Sequence, residues 1–261
     1  MFDINMGLKK SGRKVKSAQT ALEMVEHLQE HDGATLTELC EHFDCARSTA
    51  HSYLSTLESM EYVTKDADTY RIGLKFLSHG IAAKNSVSIS NLSKEPLETL
   101  AADTGSVSWL IVEEHGRGVF LDSAMSPQAV RTYGRISKRV NLHTIAGGKA
   151  ILAHMDEDDR RAIIRNYGLP AETEHTIGDP EALDTELDDI RNHRYAVSHH
   201  EAALGVSSAA APILHNEQIL GAVHISSLTS HLENGTFDQN SLEAVMEAAE
   251  AAEERYNDIS E

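Results

Sequence analysis

With 261 residues, 41% of them hydrophobic, the chain is long enough for two folded domains and too apolar for disorder to be the default. No run approaches the roughly eighteen apolar residues of a membrane span, and the charged N-terminus has no apolar stretch behind it, so a cytoplasmic location is expected, with neither membrane insertion nor secretion. The formal net charge of −18 opposes phosphate-rich partners but is unevenly placed: residues 1–80 carry 9 Lys+Arg against 12 Asp+Glu, a net of −3, and the remainder 14 against 29, a net of −15.

Residues 1–16 are polar and basic, with Lys9, Lys10, Arg13, Lys14 and Lys16 clustered. They read as a flexible tail or as an arm that follows phosphates or a minor groove. A first helix is predicted over Ser17–His31, with Ala21, Leu22, Val25 and Leu28 on its apolar side and Asp32-Gly33 as its stop. Thr35-Leu36-Thr37-Glu38 is a T-x-x-E capping box, in which Thr35 and Glu38 satisfy each other's orphan amides. The helix it opens runs to Phe43, with Leu36, Leu39, Cys40 and Phe43 on one stripe. Asp44-Cys45-Ala46 forms a turn, and a second helix follows from Arg47 to Met60. Its residues Ala50, Leu54 and Leu57 pack inward, while Ser48, His51, Ser52 and Ser55 lie opposite. Small hydroxyls with one Arg and one His suit close approach to phosphates and base edges, although an ordinary solvated face has the same composition.

Tyr62–Lys65 and Thr69–Ile72, around Asp66-Ala67-Asp68, read as a hairpin. A hairpin directly after the second helix is a wing. Residues 17–76 are therefore expected to form a winged helix-turn-helix DNA-binding domain. Cys40 and Cys45, the only cysteines, are expected there as free, packed thiols.

Residues 77–90 read as a linker, with a short helix to about Ala83 and a polar hinge from Lys84 to Ser90. Residues 91–261 form the second domain. A helix over Asn91–Asp103 carries Leu92, Leu97, Leu100 and Ala101 and stops at Thr104-Gly105. Val107–Glu114 and Gly118–Ser123 make a hairpin, Val130–Tyr133 a short strand, and His143–His154 a helix. Asp158–Tyr167 is another helix with Asp156 as its cap, and Asp179-Pro180 starts one more that runs to Arg194. Strands are predicted over Tyr195–Ser198, Ser207–Ile213 and Ile219–Ser226. A final helix over Phe237–Asp258 has Leu242, Val245, Met246 and Ala249 on one side. Hairpins mixed with helices argue an α+β sheet domain.

Ala146-Gly147-Gly148-Lys149 invites a phosphate-loop reading, which fails because the glycine spacing is wrong and Ala150 follows the lysine. What remains is an anion site of bare backbone amides at a helix start, or glycines that merely permit close packing. Among the 15 histidines, His27 and His31 stand in an H-x-x-x-H spacing on the first predicted helix, and none is taken as a metal ligand. His199-His200 in a strand would point to opposite faces; His143, His199 and His224 could still converge in the fold, but hydrogen-bonded or surface histidine is the reading adopted, and no metal or cofactor is expected.

Taken together, these segments resemble the IclR family of transcriptional regulators over residues 15–255. Arg47-Ser48-Thr49-Ala50-His51 and Tyr70-Arg71-Ile72-Gly73 are similar to its recognition helix and post-wing signature. Leu142–Ala150 resembles its glycine-containing helix entry. Arg194-Tyr195-Ala196-Val197, with Glu201, Gly205, Ala211-Pro212-Ile213 and Gly221-Ala222, resembles its C-terminal signature. Ser52 stands where the family commonly has arginine, and Glu61 where it often has glycine. The resemblance implies a GAF-like or profilin-like effector-binding domain, dimers that commonly pair into tetramers, pseudo-palindromic operators in double-stranded DNA, and small organic acids as effectors. The acidic, lysine-poor second half further suggests a halophilic archaeal source.

The expected DNA contacts are Arg47, Ser48, Thr49, His51 and Ser52, with Lys65 and Arg71 on the wing. The expected effector contacts are the amides of Ala146 and Gly147 and, by match to the family pocket, Leu142, Ser198, Val206, Ser208, His224 and Ser226. Some family members hold Asp, Cys and Ser at the positions of Ser198, Ser208 and His224, so this pocket is expected to be less negative and richer in donors. No catalytic residue is expected. The competing readings are a GAF-like small-molecule enzyme, which lacks both a cysteine after Cys45 and a G-x-S-x-G elbow, and a winged helix that reads a partner protein.

Overall fold

The computed structural model describes residues 15–130 and 133–260. Most of the expected basic arm, residues 1–14, lies outside the described residues. The chain divides between Ser86 and Val87 into two compact units.

The smaller unit contains α1 (Lys16–Glu30), the two-residue strand β1 (Ala34–Thr35), α2 (Leu36–His42), α3 (Arg47–Ser59), β2 (Val63–Asp66), β3 (Thr69–Ile72) and α4 (Lys75–Ser86). The capping box forms as the sequence requires. The Thr35 amide donates to Glu38 Oε2 at 2.7 Å, and the Glu38 amide donates to Thr35 Oγ1 at 3.3 Å. Leu28, Ala34, Leu39, Leu54, Val63 and Tyr70 make one core, with Leu36, Phe43 and Leu57 packed around it. Each large apolar side chain buried there contributes about 1.5–3 kcal/mol.

Leu22 does not join that core. It is 61% exposed, and Met24 is buried from the same helix instead. Strand β1 had no sequence signal, since two residues are too few for an alternation to show. It pairs with β3, giving the order β1-β3-β2. Helix α4 continues through Ser86, so the first part of the expected hinge is helical. Glu61, at the helix-to-wing turn, holds the left-handed conformation that glycine adopts more cheaply, with φ 66°.

The larger unit contains α5 (Lys94–Thr104), β4 (Val107–Glu114), β5 (Arg117–Met125), β6 (Arg139–Asn141), α6 (Ala146–His154), α7 (Glu157–Tyr167), α8 (Pro180–His193), β7 (Ala196–His199), β8 (Val206–His215), β9 (Gln218–Leu228) and α9 (Gln239–Ser260). The strands form an antiparallel sheet in the order β6-β5-β4-β9-β8-β7. Alternation along each strand separates two cores. Trp109, Ile111, Ala210 and Ala222 face one side with Ala146 and Ala150 of α6 and Leu183 and Leu187 of α8. Leu110, Val112, Ala209, Ala211, Val223 and Ile225 face the other with Leu97 and Leu100 of α5 and Val245 and Ala249 of α9.

Three expectations in this unit need correction, and one strand was not expected. Val130 and Tyr133 belong to no strand, and residues 131–132 between them lie outside the described residues. Strand β6 went unforeseen, because its three residues carry no alternation. The helix expected over His143–His154 is broken: a 3-10 turn spans Leu142–Thr144, Ile145 is extended, and α6 begins only at Ala146. Asp156 stands at the N-cap of α7 but its side chain makes no capping bond, whereas Asp179 caps α8 by accepting from the Ala182 amide at 2.9 Å.

Candidate functional site

Helix α6 starts without a cap of its own. Ile145 at its N-cap has no side-chain acceptor for the first amides. Acceptors come from the sheet instead. The Ala146 amide donates to Ser208 Oγ on β8 at 3.3 Å, and the Gly147 amide donates to His224 Nδ1 on β9 at 3.2 Å. Two orphan donors of the helix start are thereby satisfied across the core. Gly148 makes the tight entry possible, since a Cβ there would stand 2.6 Å from Leu142 Cα and 2.7 Å from its carbonyl carbon.

His224 is fully enclosed, and burial pushes its pKa down to about 3, so the ring is neutral. Because Nδ1 accepts from the Gly147 amide, the ring proton belongs on Nε2. Trp109 Nε1 donates to Ser226 Oγ at 3.2 Å, and Ser198 Oγ donates to Thr144 O at 3.3 Å. Ser208 and Ser226 thus each accept a bond from the framework and keep an O–H of their own to give.

Ser198, Ser208, His224 and Ser226 line one side of a small cavity whose other walls are Phe120, Tyr133, Gly134, Ile145, Ala202 and Val206. The space is small, about 260 Å³ even when the open solvent at its mouth is counted. Gly134 lies against the indole of Trp109, where a Cβ would come within 2.7 Å of Cε2. One turn into α6, Lys149 is 1% exposed. Its Nζ donates to Glu186 Oε1 at 2.8 Å and to Glu201 Oε1 at 2.9 Å, so its charge is engaged away from the cavity wall.

In the smaller unit, α3 presents Arg47, Ser48, Thr49, His51 and Ser52, all exposed, and has no acidic residue in its first turn. Ser52 Oγ donates back to Ser48 O at 2.8 Å, which leaves Ser52 mainly an acceptor. Ser55 Oγ and His51 Nδ1 are 3.3 Å apart. On the wing, Lys65 pairs with Tyr70 and Arg71 with Thr64, so Lys65 and Arg71 point to opposite faces of the hairpin. Lys65 Nζ lies 5.1 Å from the Tyr70 ring centroid.

A helix-turn-helix with a wing in one unit, and an enclosed donor-lined cavity in the other, agree with what the chain is similar to. Residues 81–254 match the family described as bacterial transcriptional regulator IclR C-terminal, and residues 17–67 match the IclR helix-turn-helix domain. The chain belongs to the IclR family of transcriptional regulators.

It is 34% identical over 248 residues to the probable HTH-type transcriptional regulator ArcR of Halobacterium salinarum, covering 93% of this chain and 94% of that protein. An IclR transcriptional regulator from Alicyclobacillus acidocaldarius is 26% identical with a TM-score of 0.77, covering 94% of this chain and 100% of that one. An IclR homologue from Microbacterium hydrocarbonoxydans complexed with 4-hydroxybenzoate shares the fold at 19% identity and a TM-score of 0.77, over 91% of this chain and 99% of that one.

In this IclR-family chain, Ser198, Val206, Ser208, His224 and Ser226 all reach the cavity. Leu142 does not, because it is buried in the core at the entry to α6. The amides of Ala146 and Gly147 were expected to face a ligand and are instead bonded to Ser208 and His224. Phe120, Tyr133, Gly134, Ile145 and Ala202 were missed. Phe120 had a usable signal as an aromatic on a predicted strand, whereas Tyr133 and Gly134 reach the cavity through a loop without periodicity. The three suspect histidines go to separate partners: His143 Nε2 lies 3.1 Å from Pro170 O, His199 Nδ1 lies 3.1 Å from Ser207 Oγ, and His224 accepts from Gly147.

Proposed function

We propose that this regulator binds pseudo-palindromic operators as a homodimer or a dimer of dimers, and that a small organic acid in the cavity beside α6 controls that binding. Residues 17–76 act as the DNA-binding domain, 77–90 as the linker and 91–261 as the effector-binding domain. Arg47, Ser48, Thr49, His51 and Ser52 contact the operator, with Lys65 and Arg71 available to phosphates on different faces of the wing.

The observation that carries the effector reading is the set of unspent protons in the cavity. The Ser208 and Ser226 hydroxyls and the His224 Nε2–H each belong to a group already fixed by one framework bond, and the surrounding walls are apolar or aromatic. Fixed donors converging on an apolar space suit a carboxylate on a compact organic body. The homologue carrying 4-hydroxybenzoate supports that class.

Self-association is supported by α4. None of its residues is buried, and Leu77 and Ile81, with Leu74 just ahead of the helix, are 61%, 50% and 87% exposed. We assign no catalytic role, and place the protein with its DNA in the cytoplasm; no described helix is long and apolar enough to cross a membrane. The mechanism is linkage: an effector that binds one dimer arrangement better changes operator affinity by the same free energy.

A thermal-shift screen of aromatic, keto and sugar acids in high salt tests the effector assignment. A true effector at a hundred times its dissociation constant adds about 2.7 kcal/mol of stability, and Ser208→Ala abolishes the shift. If every acid leaves both proteins unmoved, the assignment is wrong. Footprinting on the protein's own promoter separates operator binding from protein-partner binding.

A further inference from the structure

The carboxylates around Lys149 outnumber it. One ammonium is shared by Glu186 Oε1 at 2.8 Å and Glu201 Oε1 at 2.9 Å. The Glu186 side chain is 36% exposed and reaches water, whereas that of Glu201 is 8% exposed. The second oxygen of Glu201, Oε2, is buried and has no hydrogen-bond partner among the described residues. A solvent-excluded carboxylate oxygen with nothing to accept from is costly while ionised and far less so once it carries a proton. Burial accordingly raises the Glu201 pKa, against the opposing pull of Lys149 and of the nearby Ser198 hydroxyl.

Glu201 also adjoins the cavity. Ala202 and Ser198 line it, and Ser198 stands beside the Glu201 carboxyl. Among the described residues no cationic side chain lines the cavity to offset an incoming carboxylate, His224 is neutral, and Lys149 is already shared. A ligand anion next to ionised Glu201 would be a like-charge pair in a dry site.

We propose that an anionic ligand enters this cavity together with one proton, taken up by Glu201. The proposal rests on the effector reading of the cavity given above. The proton comes from solvent and adds to the free oxygen of Glu201, no bond to the ligand forms, and the net charge of the site is unchanged by binding. Glu201 thereby determines which charge the site admits: anions bind with a proton, and neutral analogues bind without one.

Other titratable groups surround this one. Lys149 comes from α6, Glu186 from α8, His199 and His200 from the end of β7, and His143 from the turn before α6. Burial holds His143 and His199 below the usual histidine range, which keeps both neutral near pH 7. His200 Nδ1 accepts from the Gly205 amide at 2.8 Å. Next to the cavity wall, Lys138 Nζ is 2.9 Å from the Tyr133 ring centroid, and burial with Arg135 nearby brings its pKa down to about 8, while Glu172 acts the other way. Lys138 is the competitor for an absorbed proton near pH 8, and at pH 6.5 it is already charged.

Calorimetry of the full-length protein at pH 6.5, in two buffers of different ionisation enthalpy, reads the proton directly. The probes are 4-hydroxybenzoate, benzoate and pyruvate, with 4-hydroxybenzamide as the neutral counterpart. The expected result is uptake of about one proton per acid bound and none per amide, with acid affinity weakening up to about tenfold per pH unit as pH rises. Glu201→Gln removes the uptake and flattens the pH dependence. Acid binding without uptake, or uptake that persists in Glu201→Gln, overturns the proposal and leaves the effector reading standing. The wild-type comparison of acid with amide decides the matter even if the variant misfolds. Failure of every acid to bind overturns both.

Discussion

Replacing Lys149 by methionine tests the energetics on which the larger unit depends. The aliphatic stem is kept and the ammonium is lost, so Glu186 and Glu201 lose partners at 2.8 and 2.9 Å. Glu186 can relax into water. Glu201 cannot, since its side chain is 8% exposed and its Oε2 has no partner even in the intact protein. Breaking a buried pair from one side costs about 3–5 kcal/mol at neutral pH. The sign of the pH dependence follows from the raised pKa of Glu201. A carboxyl whose folded-state pKa lies above its unfolded value of about 4.3 binds more protons when folded, so stability falls as pH rises between the two values, at up to about 1.4 kcal/mol per unit. Lys149→Met widens that window upward, and much of its loss is recovered near pH 5. Trp109, the only tryptophan and fully buried in the sheet, reports unfolding of this unit by fluorescence in urea, without assuming that the whole chain unfolds as one. Adding Glu201→Gln to the variant removes the extra pH slope. A loss below about 1 kcal/mol at pH 7, or an equal loss at pH 5 and pH 8, would refute the reasoning.

Arg47→Ala is expected to weaken operator binding by about 1–3 kcal/mol at fixed salt, read by fluorescence anisotropy; an unchanged isotherm removes Arg47 from the interface. Thr35→Ala removes the acceptor for the Glu38 amide and lowers the stability of the smaller unit by about 1 kcal/mol, measured by circular dichroism in urea. Gly148→Ala drives a Cβ into the Leu142 backbone, which no rotamer change relieves; the expected cost is about 3 kcal/mol or more, and a variant as stable as the parent would show that the entry to α6 yields easily. With a net charge of −18, the urea midpoint is expected to rise steeply between about 0.1 and 2 M KCl, and a flat response would argue against adaptation to high salt.

Where a local rule acted alone, the sequence was legible. The capping box at Thr35 and the Asp179-Pro180 start of α8 are decided within a few neighbouring residues. Where a tertiary contact decided the outcome, it was not. Strands β1 and β6 exist only because a neighbouring strand offers bonds to two or three residues. The break at Ile145 arises because the turn before α6 packs under Gly148. The cavity divides the same way: its serines and His224 sit on predicted strands, but Tyr133 and Gly134 arrive on a loop whose position depends on packing against Trp109 and Phe120.

The start of α6 was read from its bare glycines as an anion site; the helix start does adjoin the cavity, but its amides are not the donors that face it. The helix-terminal amides do not point at an empty space; Ser208 and His224 take them. This arrangement passes the donor character of the helix start on to the side chains. A hydroxyl that accepts from an amide becomes a better donor through its own proton, and an imidazole that accepts at Nδ1 must donate at Nε2. The described lining of the cavity thus gains fixed donors without a cationic side chain. Under the proposed effector reading, recognition of a carboxylate there would depend mainly on hydrogen bonding, and the buried Oε2 of Glu201 and the Lys138 ammonium are nearby charges that can change. If Glu201 takes up the proton as proposed, a serine at position 198 helps by keeping a second carboxylate away from that oxygen.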